Sequence, residues 1–326
     1  MSCKYYSNPL QIRGVEEYTL TEGAGRGMRL MRLRNGREID LTISPDRCSD
    51  IVQFIFLKEK ILVFMGPVGM VAPSYCSPYD FFAYVLRLDF MTTCGLDNVG
   101  EYWEKDGTVY PQHGYINKMP ATHCYWSETG TEFIVTSVIN QMVIGGDKLV
   151  LKREIRLSKD ENIIRIDDCV ENQGSMQAGV MLMYHINVGY PLLSENAILE
   201  IDSDHVRGLD DKACRNIDTW QEIWPPNDNN PNVCYFHEFK KKGMARLYNP
   251  SIQKGIEIEF DIKTLPCLNQ WKKLHEYDYV MGLEPGNTYP VGRRKAEEEG
   301  TIKKIKTGRK RKVSYQNSTT GGEISI

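Results

Sequence analysis

Nowhere in this chain of 326 residues does an apolar run approach the ~20 residues that span a bilayer, and the opening MSCKYYSNPLQIRGVEEYTL lacks the charged-then-apolar order of a signal peptide. A soluble, cytoplasmic protein with no membrane partner is the expectation. The nine cysteines contain no C-x-x-C, and their odd number and scatter fit reduced, mostly buried thiols rather than a disulfide framework or structural zinc site. Charge of one sign is missing too: 40 basic against 43 acidic residues give a formal net charge of -3, so nothing pulls the chain toward nucleic acid. The one basic cluster, KKIKTGRKRKVSY, reads as a solvated surface hairpin turning at Thr307-Gly308. No repeat of fixed period, Pro/Ser-rich linker or composition shift divides the chain, and a single domain over residues 1–326 is expected.

What is present is a succession of short period-2 or wholly apolar runs: REIDLTI, IVQFIFL, KILVFMG, TEFIVTSVI, KLVLKREIRL, NIIRIDDCV, AILEIDS, ARLYNP and KGIEIEFDI. Such runs are strands, because alternate side chains of an extended chain point to opposite faces. NGR, SPDR, GGDK, SKDEN, ENQGS and NPSIQKG separate them with the Gly, Asn, Asp and Ser chemistry of hairpin loops. Only PYDFFAYVLRLDFM has the pattern of a modest helix, and no stretch alternates strand and helix as a parallel α/β sheet requires. The fold class is therefore all-β, a large antiparallel β-sandwich or barrel. The polar tail QNSTTGGEISI reads as frayed or as an edge strand.

A plain sandwich needs only alternation and turns, so polar groups set into apolar strands mark the informative places. His185 interrupts VMLMYHINVGYPLL, and His237 sits in NVCYFHEF. Glu284 closes the apolar YVMGL just before Pro-Gly-Asn, and His113 precedes a glycine in a loop-rich stretch that follows TTCGLDNVG. Each has a plainer reading. A histidine in an apolar strand is commonly a hydrogen-bonded core residue, Glu284 can bond the amides of the turn after it, Cys94 can be an inert buried thiol, and Trp271 can be core.

Three blocks taken together resemble a known family: TTCGLDNVG with HGYINKMPA, IDDCVENQG with LMYHINVGYPLL, and LPCLNQWK with YVMGLEPGN. They are similar to the DUF4432, aldose 1-epimerase-like branch of the galactose mutarotase-like superfamily, from about Arg47 to about Tyr315. The resemblance implies a supersandwich with a carbohydrate cleft across its concave sheet. In mutarotases of that superfamily two histidines, an aspartate and a glutamate line the cleft with an arginine nearby. Matched by motif, His113 falls at the first histidine, His185 at the second and Glu284 at the glutamate. The aspartate has no clean counterpart, since VCYFHEF places His237 and Glu238 there. Arg47 and Asp50 of DRCSDI are further cleft candidates. Arg293 stands at the first of two arginines that relatives carry after the EPGN turn, and Glu297 stands at the second, which argues against an arginine clamp for an anionic group.

The activity so implied is interconversion of sugar anomers, which needs a base at the C1 hydroxyl and an acid at the ring oxygen. The resemblance assigns Glu284 as the base and His185 as the acid. His113, His237, Arg47, Asp50, Trp271 and Arg293 are the substrate contacts, and Tyr115 and Tyr190 are further stacking candidates. A neighbouring carboxylate and an apolar strand act oppositely on His185, so titration near neutrality is expected. No cofactor or metal is required, although His113, His185 and Glu284 have the composition of a facial metal triad. The partner is a small-molecule carbohydrate, and the alternatives are epimerisation or elimination at another sugar carbon, or carbohydrate binding and sensing without turnover.

Overall fold

The computed structural model describes residues 4–58, 60–75 and 88–320. Its first five strands, β1 (Gly14–Thr19), β2 (Arg29–Arg34), β3 (Ile39–Ser44), β4 (Asp50–Phe56) and β5 (Ile61–Leu62), form an antiparallel meander in chain order. After β6 (Met91–Leu96) comes a separate hairpin of β7 (Trp103–Lys105) and β8 (Thr108–Tyr110). Next run β9 (Ala121–Glu128), β10 (Glu132–Met142), β11 (Lys148–Ser158), β12 (Ile163–Asn172), β13 (Ala178–Gly189), β14 (Ile198–Ile201) and β15 (His205–Gly208). The rest are β16 (Val233–Glu238), β17 (Gly243–Asn249), β18 (Lys254–Phe260), β19 (Cys267–Leu274), β20 (Tyr279–Gly286), β21 (Lys303–Ile305) and β22 (Lys310–Thr320).

Eight strands make one large sheet in the order β14-β17-β18-β22-β12-β11-β10-β9. Seven make the other, ordered β15-β16-β19-β20-β13-β21, with β6 also paired to β13. The alternation that predicts strands also assigns their faces. Along β10 every second residue is buried, and Phe133, Val135 and Ile139 enter the core. One contiguous apolar cluster joins Leu33, Leu41 and Phe54 of the meander to Leu151 and Ile166 of the eight-stranded sheet and to Leu182 and Leu283 of the seven-stranded one.

Set into this core is a polar knot. Arg153 occupies a core-facing position of β11 between Leu151 and Ile155, and its guanidinium donates to Asp50 and Asp168 at 2.7 Å each. Thr93 donates to Asp50 at 2.5 Å and Tyr184 to Asp168 at 2.7 Å, so strands of all three sheets are tied at one buried point. A buried charge cluster persists when its members satisfy one another.

Two sequence expectations change, and a third falls mostly outside the described residues. The basic cluster is no hairpin: β21 pairs with β13, while β22 inserts between β12 and β18, so the Thr307-Gly308 turn carries the chain from one sheet to the other. Residues 316–320 of the expected frayed tail or edge strand belong to that interior strand. Most of the helix expected at PYDFFAYVLRLDFM lies outside the described residues, and its final Met91 opens β6. The described cysteines are all free thiols, and among the described residues no helix is long and apolar enough to cross a membrane.

Candidate active site

Period-2 alternation explains the histidine in the apolar strand. All twelve residues of β13 are buried, because both faces are covered. Leu182, Tyr184 and Ile186 point into the sandwich core, whereas Met181 and Met183 join a second apolar cluster with Leu88, Cys94, Val99 and Ala296. His185 shares the face of Met181 and Met183. On β20 Met281 and Leu283 face the core and Glu284 faces the other way; on β19 Leu268 and Leu274 face the core while Asn269, Trp271 and Lys273 line a cavity of about 920 Å³.

Register then assembles the floor of that cavity. Asn269 lies directly across from Glu284, and Trp271 across from Gly282. Asn269 Nδ2 donates to Glu284 Oε2 at 2.7 Å, and His185 Nε2 stands 3.1 Å from Glu284 Oε1. Gly282 makes room for the carboxyl group: a Cβ there would come within 2.2 Å of Glu284 Oε1. Any side chain at that position would displace the glutamate.

His113 reaches the same cavity from the loop after β8 and takes a left-handed conformation with φ of 57°. The surrounding backbone enforces this conformation, which costs a non-glycine residue on the order of 1 kcal/mol or more. Its N–H donates to Gly100 O at 3.0 Å, and its carbonyl accepts from Gly95 N at 2.9 Å. The next residue, Gly114, packs so closely on Gly95 that a Cβ would lie 2.0 Å from the Gly95 carbonyl oxygen. The His113 and His185 rings are thereby held 6.2 Å apart, edge to face.

Above the floor, Trp271 lies 5.6 Å from the His185 ring, its indole N–H donating to Asn232 at 2.7 Å. The β7–β8 hairpin contributes a second lining tryptophan, Trp103, stacked on Tyr110 at 5.4 Å, and Lys105 ties that hairpin to Glu297 of the short helix Arg293–Glu298 at 3.0 Å. Aromatic faces around a polar floor suit a ligand with both apolar and hydroxylated surfaces.

Burial governs the electrostatics. It raises Glu284 to about 8, against which the Asn269 hydrogen bond favours the carboxylate. It lowers His185 to about 3, with the like charge of a protonated His113 acting in the same direction, and lowers His113 to about 4. The expectation of a His185 titrating near neutrality is therefore corrected: desolvation dominates, and only the Asn187 side chain acts in the opposite direction. Burial thus drives both members of the Glu284–His185 contact toward their neutral forms, a protonated carboxyl group and an unprotonated imidazole.

Of the residues singled out in the sequence, the structure brings His113, His185, Trp271 and Glu284 together in one cavity. Glu284 bonds the neighbouring strand's Asn269 rather than its own turn. The other four substrate-contact candidates are engaged elsewhere and are not among the residues lining that cavity. Asp50 belongs to the Arg153 knot, and Arg47 is buried in an ion pair with Asp89 at 2.6 Å. His237 is fully buried on the core-facing side of β16, between Ser203 at 3.1 Å and Gln270 at 3.2 Å, with Trp220 against its ring. Arg293 donates to the Asp97 carbonyl at 2.7 Å and to Glu297 at 3.0 Å, fastening its helix to the loop after β6. Tyr190 points to solvent, being 75% exposed.

Sequence reasoning missed Asn269, Gln112 and Trp103 as lining residues. For Asn269 a signal existed, since LNQW places it two residues from Trp271 and hence on the same strand face. Among the described residues no group of three His, Cys, Asp or Glu side chains is arranged to hold a metal ion.

This architecture is that of the galactose mutarotase-like β-sandwiches. A Klebsiella pneumoniae protein provisionally assigned as an aldose 1-epimerase superposes with a TM-score of 0.85 at 19% identity, over 94% of this chain and 83% of that one. A galactose mutarotase-like protein from Clostridium acetobutylicum matches at 0.66 and 13% identity, over 96% of this chain and all (100%) of that one. Galactose 1-epimerase from Lactobacillus acidophilus matches at 0.64 and 11%, over 95% and 100%. The chain belongs to the DUF4432 family, described as a domain of unknown function, whose profile matches residues 25–318. Comparison with curated proteins finds no significant match.

Proposed function

We propose that the chain is an aldose 1-epimerase-type isomerase that interconverts sugar anomers in the cavity above β13, β19 and β20. The observation that carries this reading is the 3.1 Å contact between His185 Nε2 and Glu284 Oε1, an acid–base pair on the floor of a cavity of ligand size. Anomerisation removes one proton from the C1 hydroxyl and delivers one to the ring oxygen, with no net change in the pair.

Sugar hydroxyls donating to Glu284 favour its charged form, and the proton then passes across the contact to His185 Nε2. The carboxylate takes the C1 hydroxyl proton as the bond from C1 to the ring oxygen opens, and the imidazolium protonates that oxygen. Rotation of the aldehyde and return of both protons closes the other anomer. Asn269 anchors the other carboxyl oxygen of Glu284, His113 faces the same space, and Trp271 offers an apolar face to the pyranose. The structural neighbours named as epimerases support the reading at the level of fold.

Proton NMR of freshly dissolved single-anomer aldoses tests it. The expected result is an accelerated approach to anomeric equilibrium that Glu284→Gln abolishes. A panel in which no aldose equilibrates faster than the enzyme-free control overturns it.

A further inference from the structure

The charges around the cavity mouth are lopsided. Three cations line it, Lys273 from β19 and Arg294 and Lys295 from the helix Arg293–Glu298. The carboxyl groups among its described lining residues are Glu101 and Glu284, and burial disfavours the charged form of Glu284. The helix supplies its own neutralising carboxylate to the wrong partners for local balance. Glu297 accepts from Arg293 at 3.0 Å and from Lys105 of the β7–β8 hairpin at 3.0 Å. Lys273 is taken by Asp278 at 2.7 Å. Lys295 has only Glu299, at 3.9 Å and beyond hydrogen-bond reach, and Arg294 has no counter-ion among the described residues.

Two adjacent cations are therefore left facing a concave site with low-dielectric walls, where a field of one sign concentrates oppositely charged ligands. A neutral sugar gives these groups nothing to neutralise. Resting on the epimerase reading above, we propose that the substrate is an aldose carrying an anionic substituent, a phosphate, sulfonate or carboxylate, which Arg294 and Lys295 bind at the cavity mouth. The guanidinium of Arg294 offers paired donors to two oxygens of such a group, and Lys295 adds a point charge beside it. This departs from the expectation drawn from Arg293 and Glu297. Those two residues do neutralise each other, but the next residues in the chain supply the cations instead.

The test compares a neutral hexose, the same hexose as its 6-phosphate, and the corresponding hexuronate. Anomerisation is followed by NMR with the wild-type chain and with the Arg294→Ala/Lys295→Ala double variant. Binding is measured in parallel by calorimetry on Glu284→Gln with and without the double change. Expected is at least tenfold higher kcat/KM for one anionic sugar over the neutral hexose. That preference should shrink about tenfold in the double variant through KM, and shrink with added salt in the wild type. Which anion is favoured identifies the substituent. Equal handling of neutral and anionic sugars, or a preference that survives the double change, overturns the anionic subsite and leaves the epimerase reading standing. If no sugar is turned over, the epimerase reading fails and calorimetry decides the subsite: loss of anion-selective binding in the double variant sustains it, and absence of selectivity overturns it.

Discussion

Glu284→Gln should make the protein more stable while it destroys the proposed chemistry. The unfolded carboxyl group titrates at 4.5 and the folded one at about 8. Between those values the native state holds a proton that the unfolded chain has lost, so wild-type stability falls as pH rises through the window. Glutamine has nothing to titrate. At about 1.4 kcal/mol per pH unit, the penalty it removes is under ~1 kcal/mol at pH 5 and about 3 kcal/mol at pH 7. The amide is isosteric, its oxygen can still accept from Asn269, and its NH2 can face His185, so no cavity opens to offset the gain. Urea titrations of both proteins at pH 5, 7 and 9 measure the difference directly. The midpoint gap should be small at pH 5, should widen by pH 7 and should level off above the folded pKa. A variant no more stable than wild type at pH 7, or a gap independent of pH, would mean that the folded carboxyl group is ionised, and the placement of a proton on Glu284 would fall.

Further outcomes follow from the same geometry. The pH profile of kcat/KM should be bell-shaped, falling above about 8 as Glu284 loses its proton and below about 3 as His185 gains one. Asn269→Ala removes the bond that favours the carboxylate, so the alkaline limb should move to higher pH; an unmoved limb would detach Asn269 from the pair. In Gly282→Ala the new methyl group collides with Glu284 Oε1, and kcat should fall by roughly a hundredfold or more while circular dichroism stays that of the wild type. Arg153→Met leaves Asp50 and Asp168 buried without their cation, and denaturant titration should show a loss of about 3–5 kcal/mol.

The strands were legible because hydrophobic alternation is local. Phe133, Val135 and Ile139 declare the inner face of β10 with no knowledge of what covers it. His185 and Glu284 were legible as interruptions in apolar strands, and the motif resemblance joined them to His113. Sheet membership was not readable, since the pattern around Thr307-Gly308 suits a hairpin as well as a crossing between sheets. Nor was the fate of the remaining charges. Asp50 and Arg47 look alike in a sequence as candidates for a cleft. Yet Asp50 meets Arg153, about a hundred residues away, in a core where the alternation of KLVLKREIRL gave Arg153 no visible distinction from a solvent-facing charge. Likewise two of the cations that line the cavity, Arg294 and Lys295, adjoin Arg293 in sequence, and only the fold separates them from Arg293, which pairs with Glu297.

The placement of β22 also means that the eight-stranded sheet cannot be completed until late in synthesis. That strand occupies the middle of the sheet, yet its residues follow β12 by well over a hundred positions. Until β22 is made, the edges of β12 and β18 that it covers in the folded sheet have no partner strand of this chain, and an unpaired edge can pair with another chain. In the folded sheet β22 is the strand that joins β14-β17-β18 to β12-β11-β10-β9. Synthesis of residues 310–320 joins them. A pause in translation before that point would prolong the interval in which those edges can recruit another chain.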